Sequence, residues 1–273
     1  MNLYSLYLKL FVMTAHADEM SLWDRMKPPL DISTNGHLID SLFHLTTMLI
    51  LFFFVLVCIG LFGFSYLYRK SKHPVALYVH GTSKKHIAVV AGIGALVFIV
   101  IDMQITGISN RDYMEVFAKW PKENADVVRV EVLGQQWAWN FRYPGKDGIF
   151  NTEDDIVTLN DLRLPVGKKI VFQVTAKDVI HSFSLPNTRL KTDAMPGRIS
   201  KLWVELQNKP GTYDIVCAQI CGTFHYRMQA KLTVYSQADY DKWQNEMQNR
   251  TSYVMEKEKE DLYWGWKWVA NNN

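Results

Sequence analysis

Cys217-Ala218-Gln219-Ile220-Cys221-Gly222-Thr223-Phe224-His225-Tyr226-Arg227-Met228 puts two thiols, an imidazole and a thioether within one loop-sized run. Soft donors of this kind select copper over magnesium or calcium, and a weak thioether is a habitual copper ligand. Zinc also accepts Cys and His, but Met is not among its usual partners. A mononuclear blue-copper site needs one Cys. The second Cys four residues on, with a second His upstream at His181, points to two coppers bridged by both sulfurs. A Cys217–Cys221 disulfide or a fragment of a zinc site is the competing reading of the spacing. The third cysteine of the chain, Cys58, lies in a long apolar run and reads as a small buried hydrophobe.

The sequence on either side of this run alternates as strands do. Gly211 to Val216 leads straight into Cys217, and Gln229 to Tyr235 leaves after Met228, so the loop joins two strands. Val127 to Val132, Lys169 to Val174 and Lys201 to Leu206 show the same near-alternation of a half-buried strand. Gly167-Lys168, Pro196-Gly197 and Pro210-Gly211 mark bends between them. Short strands at this spacing predict a β-sandwich or barrel with its site in the end loops. Ser236, with Asp239 three residues later, predicts the start of a polar helix running to about Lys259. The closing Trp264-Gly265-Trp266-Lys267-Trp268 reads as an aromatic packing segment.

Upstream the composition changes. Of 273 residues 48% are hydrophobic, but they are sharply segregated. Leu42 to Tyr68 contains no acidic or basic residue, and Ile87 to Ile108 carries only Asp102. Each stretch matches or exceeds the roughly 20 residues that cross a bilayer as a helix. The loop between them holds Arg69, Lys70, Lys72, Lys84 and Lys85 and no carboxylate. The positive-inside rule puts that loop in the cytoplasm and both termini on the other side. Leu3 to Met13 is mostly apolar and Ala15-His16-Ala17 resembles a small-residue cleavage site, which suggests a signal peptide over 1–17. The missing basic n-region and Lys9 argue against one. The expected organisation is an extracytoplasmic segment over 1–40, a two-helix transmembrane hairpin over 41–109, a β-domain over 110–240 and a C-terminal helix and tail over 241–273. A net charge of +3 is too small to argue for nucleic acid.

Two N-terminal membrane helices followed by a β-domain with this Cys-Cys-His-Met loop resemble subunit II of the haem-copper cytochrome c oxidases. Three further segments carry the likeness: Asp178-Val179-Ile180-His181-Ser182-Phe183, Leu190-Lys191-Thr192-Asp193-Ala194-Met195-Pro196-Gly197-Arg198, and Gln136-Trp137-Ala138-Trp139. The resemblance implies a cupredoxin fold bearing the binuclear copper centre called CuA. It implies that Cys217 and Cys221 bridge the coppers, with His181 and Met228 completing one metal and His225 and the Gln219 backbone carbonyl the other. Trp137 would receive the electron. Asp178 and Gln136 would meet the donor, a cytochrome c. Subunits I and III would be the partners within the membrane, and the setting a bacterial inner membrane.

Departures from the family pattern matter. Relatives with Glu at position 219 use that carboxylate on a magnesium shared with subunit I. Gln219 offers a neutral amide, a weaker ligand for a hard cation, which puts that magnesium in question. The second helix begins Lys84-Lys85-His86-Ile87, without the carboxylate that many relatives carry near a proton path. The one close cysteine pair has three residues between, so the c-type haem attachment motif is missing and no haem is expected in this chain. The acidic loop 145–155 could join a docking field, clasp calcium, or be a plain solvated hairpin loop. Competing functions are subunit II of a quinol oxidase (a relative that has lost the copper ligands), the CuA subunit of a nitric oxide reductase, and a membrane-anchored copper carrier.

Overall fold

The computed structural model describes residues 27–75, 78–122, 127–152 and 154–254, the last six without their side chains. The possible signal peptide, the tryptophan-rich tail and Glu153 lie outside the described residues.

The two apolar runs are helices. α1 spans Gly36–Leu67 and α2 spans Lys84–Phe117; both are long and apolar enough to cross a membrane, and neither buries its apolar stretch inside the protein. Cys58 lies half-buried on α1 rather than in a core. The Ser83 hydroxyl starts α2 by accepting from the His86 backbone N–H at 3.3 Å. The helix runs past Ile108 to Phe117 because Ser109 to Asp112 contains neither Pro nor Gly to stop it; Pro121 follows soon after. Two π-helical turns interrupt it, at Phe98–Asp102 and Tyr113–Phe117.

Ten strands follow: β1 Val127–Gln135, β2 Ala138–Tyr143, β3 Ile156–Leu159, β4 Asp161–Pro165, β5 Lys169–Ala176, β6 His181–Leu185, β7 Leu190–Ala194, β8 Ser200–Glu205, β9 Gly211–Cys217 and β10 Gln229–Tyr235. They form two five-stranded sheets, ordered β3-β2-β1-β5-β8 and β4-β10-β9-β6-β7. Pairing is mixed: β1 with β5 and β4 with β10 are parallel, the other named pairs antiparallel. Between the sheets lies a core of Val130, Val132, Trp139, Phe141, Ile170, Phe172, Phe183, Leu162, Ile215 and Leu232. Phe183 sits edge-on to both Trp139 and Phe172, each at 5.4 Å, an arrangement favoured by ring quadrupoles. Helix α3, Gln237–Val254, packs Tyr240 and Trp243 onto the core. Ser236 caps it as its spacing with Asp239 predicted, accepting from the Asp239 N–H at 3.2 Å.

The alternation in β1 misleads at one position. Glu131 reads as an outward-facing polar residue, yet it is fully buried, as are Arg142 and Asp155. Both faces of β1 are covered. Arg142 pairs with Glu131 and stands 3.7 Å from Asp155. That carboxylate in turn accepts from the Asn151 N–H at 2.8 Å. The acidic loop is thereby fastened over the outer side of the sheet.

The helices are tied to the sandwich at both ends. Arg189 grips Asp40 with two hydrogen bonds, of 2.6 and 2.9 Å. The Trp203 indole N–H donates to the Phe117 carbonyl at 3.0 Å, closing the end of α2.

Candidate metal centre

Because β1 and β5 run parallel, their C-terminal ends open at one end of the sandwich, where β6 begins and β9 hands over to β10. Three loops meet there: Gln136-Trp137, Lys177 to Ile180, and Ala218 to Met228. The chain thus brings together residues that lie some eighty positions apart.

Cys217 ends β9 and is buried, as is Cys221. Their sulfurs stand 3.8 Å apart, unbonded, and both cysteines are free. The Cys221 sulfur lies 3.7 Å from Met228 Sδ and 3.5 Å from His225 Nδ1. The Gln219 carbonyl oxygen is 3.2 Å from the Cys217 sulfur. His181 begins β6 and is fully buried; its ligand atom and the two sulfurs lie within 4.8 Å of one another. Five side-chain donors and one carbonyl therefore cluster around the two sulfurs, Gln219 beside Cys217 and His225 and Met228 beside Cys221.

The backbone holds this arrangement closed. Cys217 N–H donates to the Met228 carbonyl at 3.2 Å and Ala218 N–H to that of Ser182 at 3.0 Å. The Gln136 amide donates to the Cys221 carbonyl at 2.8 Å. His181 is wedged beside Trp139, ring centroids 5.9 Å apart. Gly134 makes room for both: a Cβ there would lie 3.0 Å from Trp139 and 3.1 Å from His181. The far nitrogen of His181, Nε2, meets Asp178 at 2.9 Å. Carboxylate–histidine contacts of this kind fix the tautomer of metal-bound imidazoles.

Charge at the site is unevenly shared. Burial works against ionising Cys217, but the neighbouring His181 imidazole and the backbone groups of Ser182 and Gln219 outweigh it and bring the thiol down. Burial and the Cys217 neighbour push Cys221 up. Burial works against the His181 imidazolium, while Cys217 and Asp178 favour it and raise its pKa.

The residues fit a soft metal. His181 Nδ1 is buried and meets no hydrogen-bond partner, a costly state for an imidazole nitrogen unless something else binds it. The two unbonded sulfurs, an imidazole on either side and a thioether match the donor softness of copper.

Of the sequence-predicted residues, His181, Cys217, Gln219, Cys221, His225 and Met228 are brought together. Trp137 lies in the β1–β2 turn, half-buried, its ring edge-on to Phe224 at 4.8 Å. Its neighbour Trp139 is a core residue. Gln136 and Asp178, expected to meet a donor, are exposed beside the pocket and also hydrogen-bonded there, Gln136 to the Cys221 carbonyl and Asp178 to Gln136 N–H, Val179 N–H and His181. The acidic loop 145–155 opens at the opposite end of β2. Six strand residues separate the two ends, about 20 Å, so this loop does not border Trp137. Asp154 spends its carboxylate within the loop, on the Lys146 N–H at 2.6 Å and the Thr152 hydroxyl at 2.8 Å. Sequence reading missed Gly134 and Gly222, whose roles depend on what lies above them.

Comparison with known proteins agrees. Residues 128–234 match the family described as cytochrome C oxidase subunit II, periplasmic domain. The alternative cytochrome c oxidase subunit 2 of Bradyrhizobium diazoefficiens is 38% identical over 141 residues, covering 44% of this chain and 50% of that protein. The cytochrome c oxidase subunit 2 of Thermostichus vulcanus is 38% identical over 119 residues, covering 44% of this chain and 33% of that protein. The matches thus span half or less of these relatives' own lengths. A crystal structure of the periplasmic domain of cytochrome oxidase subunit II from Bradyrhizobium japonicum aligns over 48% of this chain and 98% of its own, with 27% identity and a TM-score of 0.42. Two apolar helices, a two-sheet β-sandwich and a His–Cys metal pocket accompany the match, and residues 128–234 are similar to the periplasmic domain of cytochrome c oxidase subunit II.

Proposed function

We propose that this chain is the electron-receiving subunit of a respiratory haem-copper oxidase, taking electrons from a cytochrome c and passing them toward the haems of subunit I. The observation that carries this reading is the convergence of His181, Cys217, Cys221, His225, Met228 and the Gln219 carbonyl, with His181 Nδ1 buried and unpartnered.

A pair of coppers held by both thiolates would supply a one-electron carrier at this position. The chain's contribution is to hold its ligands still. Cys217 ends one strand and His181 begins another, both hydrogen-bonded into the sheet that contains β6 and β9. Met228 and Cys221 are buried among core residues. A ligand set anchored this way moves little when charge changes, which suits electron transfer. Proton transfer needs no group here; oxygen chemistry belongs to subunit I.

Trp137 is the residue through which electrons arrive. Its indole lies against Gly222, next to Cys221, with Nε1 and Cζ2 the atoms a side chain at Gly222 would meet. The apolar helices α1 and α2 anchor the chain in a bacterial inner membrane beside subunits I and III, with the sandwich outside. Gln219 keeps a copper carbonyl and is a weak magnesium ligand.

The test is purification through a tag on this chain. Haem-containing partners and oxygen uptake driven by reduced cytochrome c are expected, with turnover cut at least tenfold in Trp137→Phe. A haem-free complex, or one driven by quinol and indifferent to cytochrome c, would contradict the proposal.

A further inference from the structure

The turn that follows α1 lies in the most one-sidedly charged part of the chain. Between Asp40 and Asp102 the sequence holds no Asp or Glu, while Arg69, Lys70, Lys72, Lys84 and Lys85 all fall where the two apolar runs end. Tyr66 lies about 36 Å along the helix axis from Leu42, where the apolar run of α1 begins. The hydrocarbon core of a bilayer is about 30 Å thick, with a headgroup layer on each side. Tyr66 and Tyr68, 63% and 66% exposed, therefore stand at headgroup level, where amphipathic aromatic rings collect.

The turn is ordered by its own contacts. Arg69 Cζ lies 4.3 Å from the centroid of the Tyr66 ring, and Lys72 Nζ lies 5.6 Å from the same centroid. Arg69 Nε donates to the Ser71 hydroxyl at 2.9 Å, and a terminal guanidinium nitrogen donates to the Tyr66 carbonyl at 3.3 Å. The backbone N–H groups of Lys72 and His73 both donate to the Arg69 carbonyl, at 2.9 and 3.0 Å. His73 packs its ring on Tyr68, centroids 5.2 Å apart. The Tyr66 ring attracts each cation, but the two cations repel one another, and an anion shared between them would offset that repulsion.

We propose that Arg69 and Lys72, seated on Tyr66, bind the phosphate of an anionic glycerophospholipid in the cytoplasmic leaflet. This rests on the membrane anchoring proposed above. The guanidinium fork suits two phosphate oxygens at once, and the ammonium adds a point charge. The acyl chains have an apolar surface to lie on, since Leu61, Phe62 and Phe64 in the last turns of α1 are all exposed. A free phosphate or a nucleotide offers the same oxygens and nothing to cover that surface, so the site favours a lipid. Lys84 and Lys85 begin α2 at the other end of the loop and supply general attraction to an anionic surface. The shared ring makes Arg69 and Lys72 the contacts that select one headgroup.

The test uses the complete complex, purified through a tag on this chain and incubated in detergent with equal amounts of phosphatidylglycerol and phosphatidylcholine. After washing, bound lipid is counted by native mass spectrometry. A basic residue beside an anionic headgroup is worth about fivefold in affinity. The proposal therefore expects phosphatidylglycerol to be retained at least about fivefold over phosphatidylcholine. Arg69→Gln with Lys72→Gln should cut that retention about tenfold or more. Tyr66→Leu, which keeps every charge, should cut it at least about twofold through the lost cation–π contacts, and it decides the matter if the Gln pair disturbs assembly. Lys84→Gln with Lys85→Gln should leave retention nearly unchanged. Equal retention of the two lipids would overturn the proposal, as would an unchanged Tyr66→Leu or an equal loss from the Lys84 and Lys85 pair. Displacement of the lipid by millimolar inorganic phosphate or ADP would overturn it too, by assigning the site to a free phosphate compound. Failure of the underlying membrane reading would show separately, as a wild-type chain recovered in the soluble fraction of disrupted cells.

Discussion

The sulfurs of Cys217 and Cys221 stand 3.8 Å apart without a bond between them. A disulfide would close that distance to about 2.05 Å. Each sulfur instead has other ligating atoms beside it: the Gln219 carbonyl at Cys217, His225 and Met228 at Cys221. The pair is spaced to share something between them.

Met228 is buried and reaches Cys221, so its substitutions should separate packing from ligation. Met228→Leu conserves volume and should cost under about 1.5 kcal/mol of stability. Met228→Ala should cost about 2–5 kcal/mol through the cavity it leaves. Both remove the thioether, so both should alter the copper spectrum alike. Thermal unfolding beside EPR checks this; a spectrum changed in Ala alone would mean that Met228 only packs.

Gly222 adopts φ +118, a region that L side chains rarely enter. Gly222→Ala should lose about 1–3 kcal/mol in backbone strain and push Trp137 off the metal loop. Slower reduction by the donor, with copper content intact, is the expected result. An unchanged reduction rate would show that Trp137 does not need that close approach.

The buried Glu131–Arg142–Asp155 cluster makes a pH prediction. Burial raises Glu131 from 4.5 to about 7, and Asp155 from 3.8 to about 6, with Arg142 working against both. A carboxyl whose folded pKa exceeds its unfolded one binds its proton more tightly when folded. Its stabilisation is therefore full below the unfolded pKa and is lost as pH rises through the folded one. For Glu131 that window runs from 4.5 to about 7. Tm should fall across it, and Glu131→Gln should flatten the slope. Arg142→Met, which leaves two carboxylates buried together, should cost about 3–5 kcal/mol. Parallel Tm–pH curves for wild type and Glu131→Gln would contradict this account.

Local pattern made much of the fold legible. The long apolar runs, one without Asp, Glu, Lys or Arg and one carrying only Asp102, mark α1 and α2, and the alternation from Gly211 and from Gln229 marks β9 and β10 around the metal loop. His225 and Met228 could be read because they lie within twelve residues of Cys217. What stayed hidden depends on contacts across the chain. Gln136 bonds the Cys221 carbonyl 85 positions away, and no spacing announces that. Glu131 looked solvent-facing because alternation reports one covered face, while the acidic loop covers the other. Nor does spacing announce that the Asp178 carboxylate is shared by Gln136 N–H, Val179 N–H and His181.

The most direct test of the central claim is copper content with an EPR spectrum on the purified, copper-loaded protein. One unpaired electron shared equally by two copper nuclei of spin 3/2 gives seven hyperfine lines; a single copper gives four. Two coppers per chain with the seven-line pattern, lost in Cys217→Ser, is the predicted result. One copper with four lines, or zinc in their place, would contradict it.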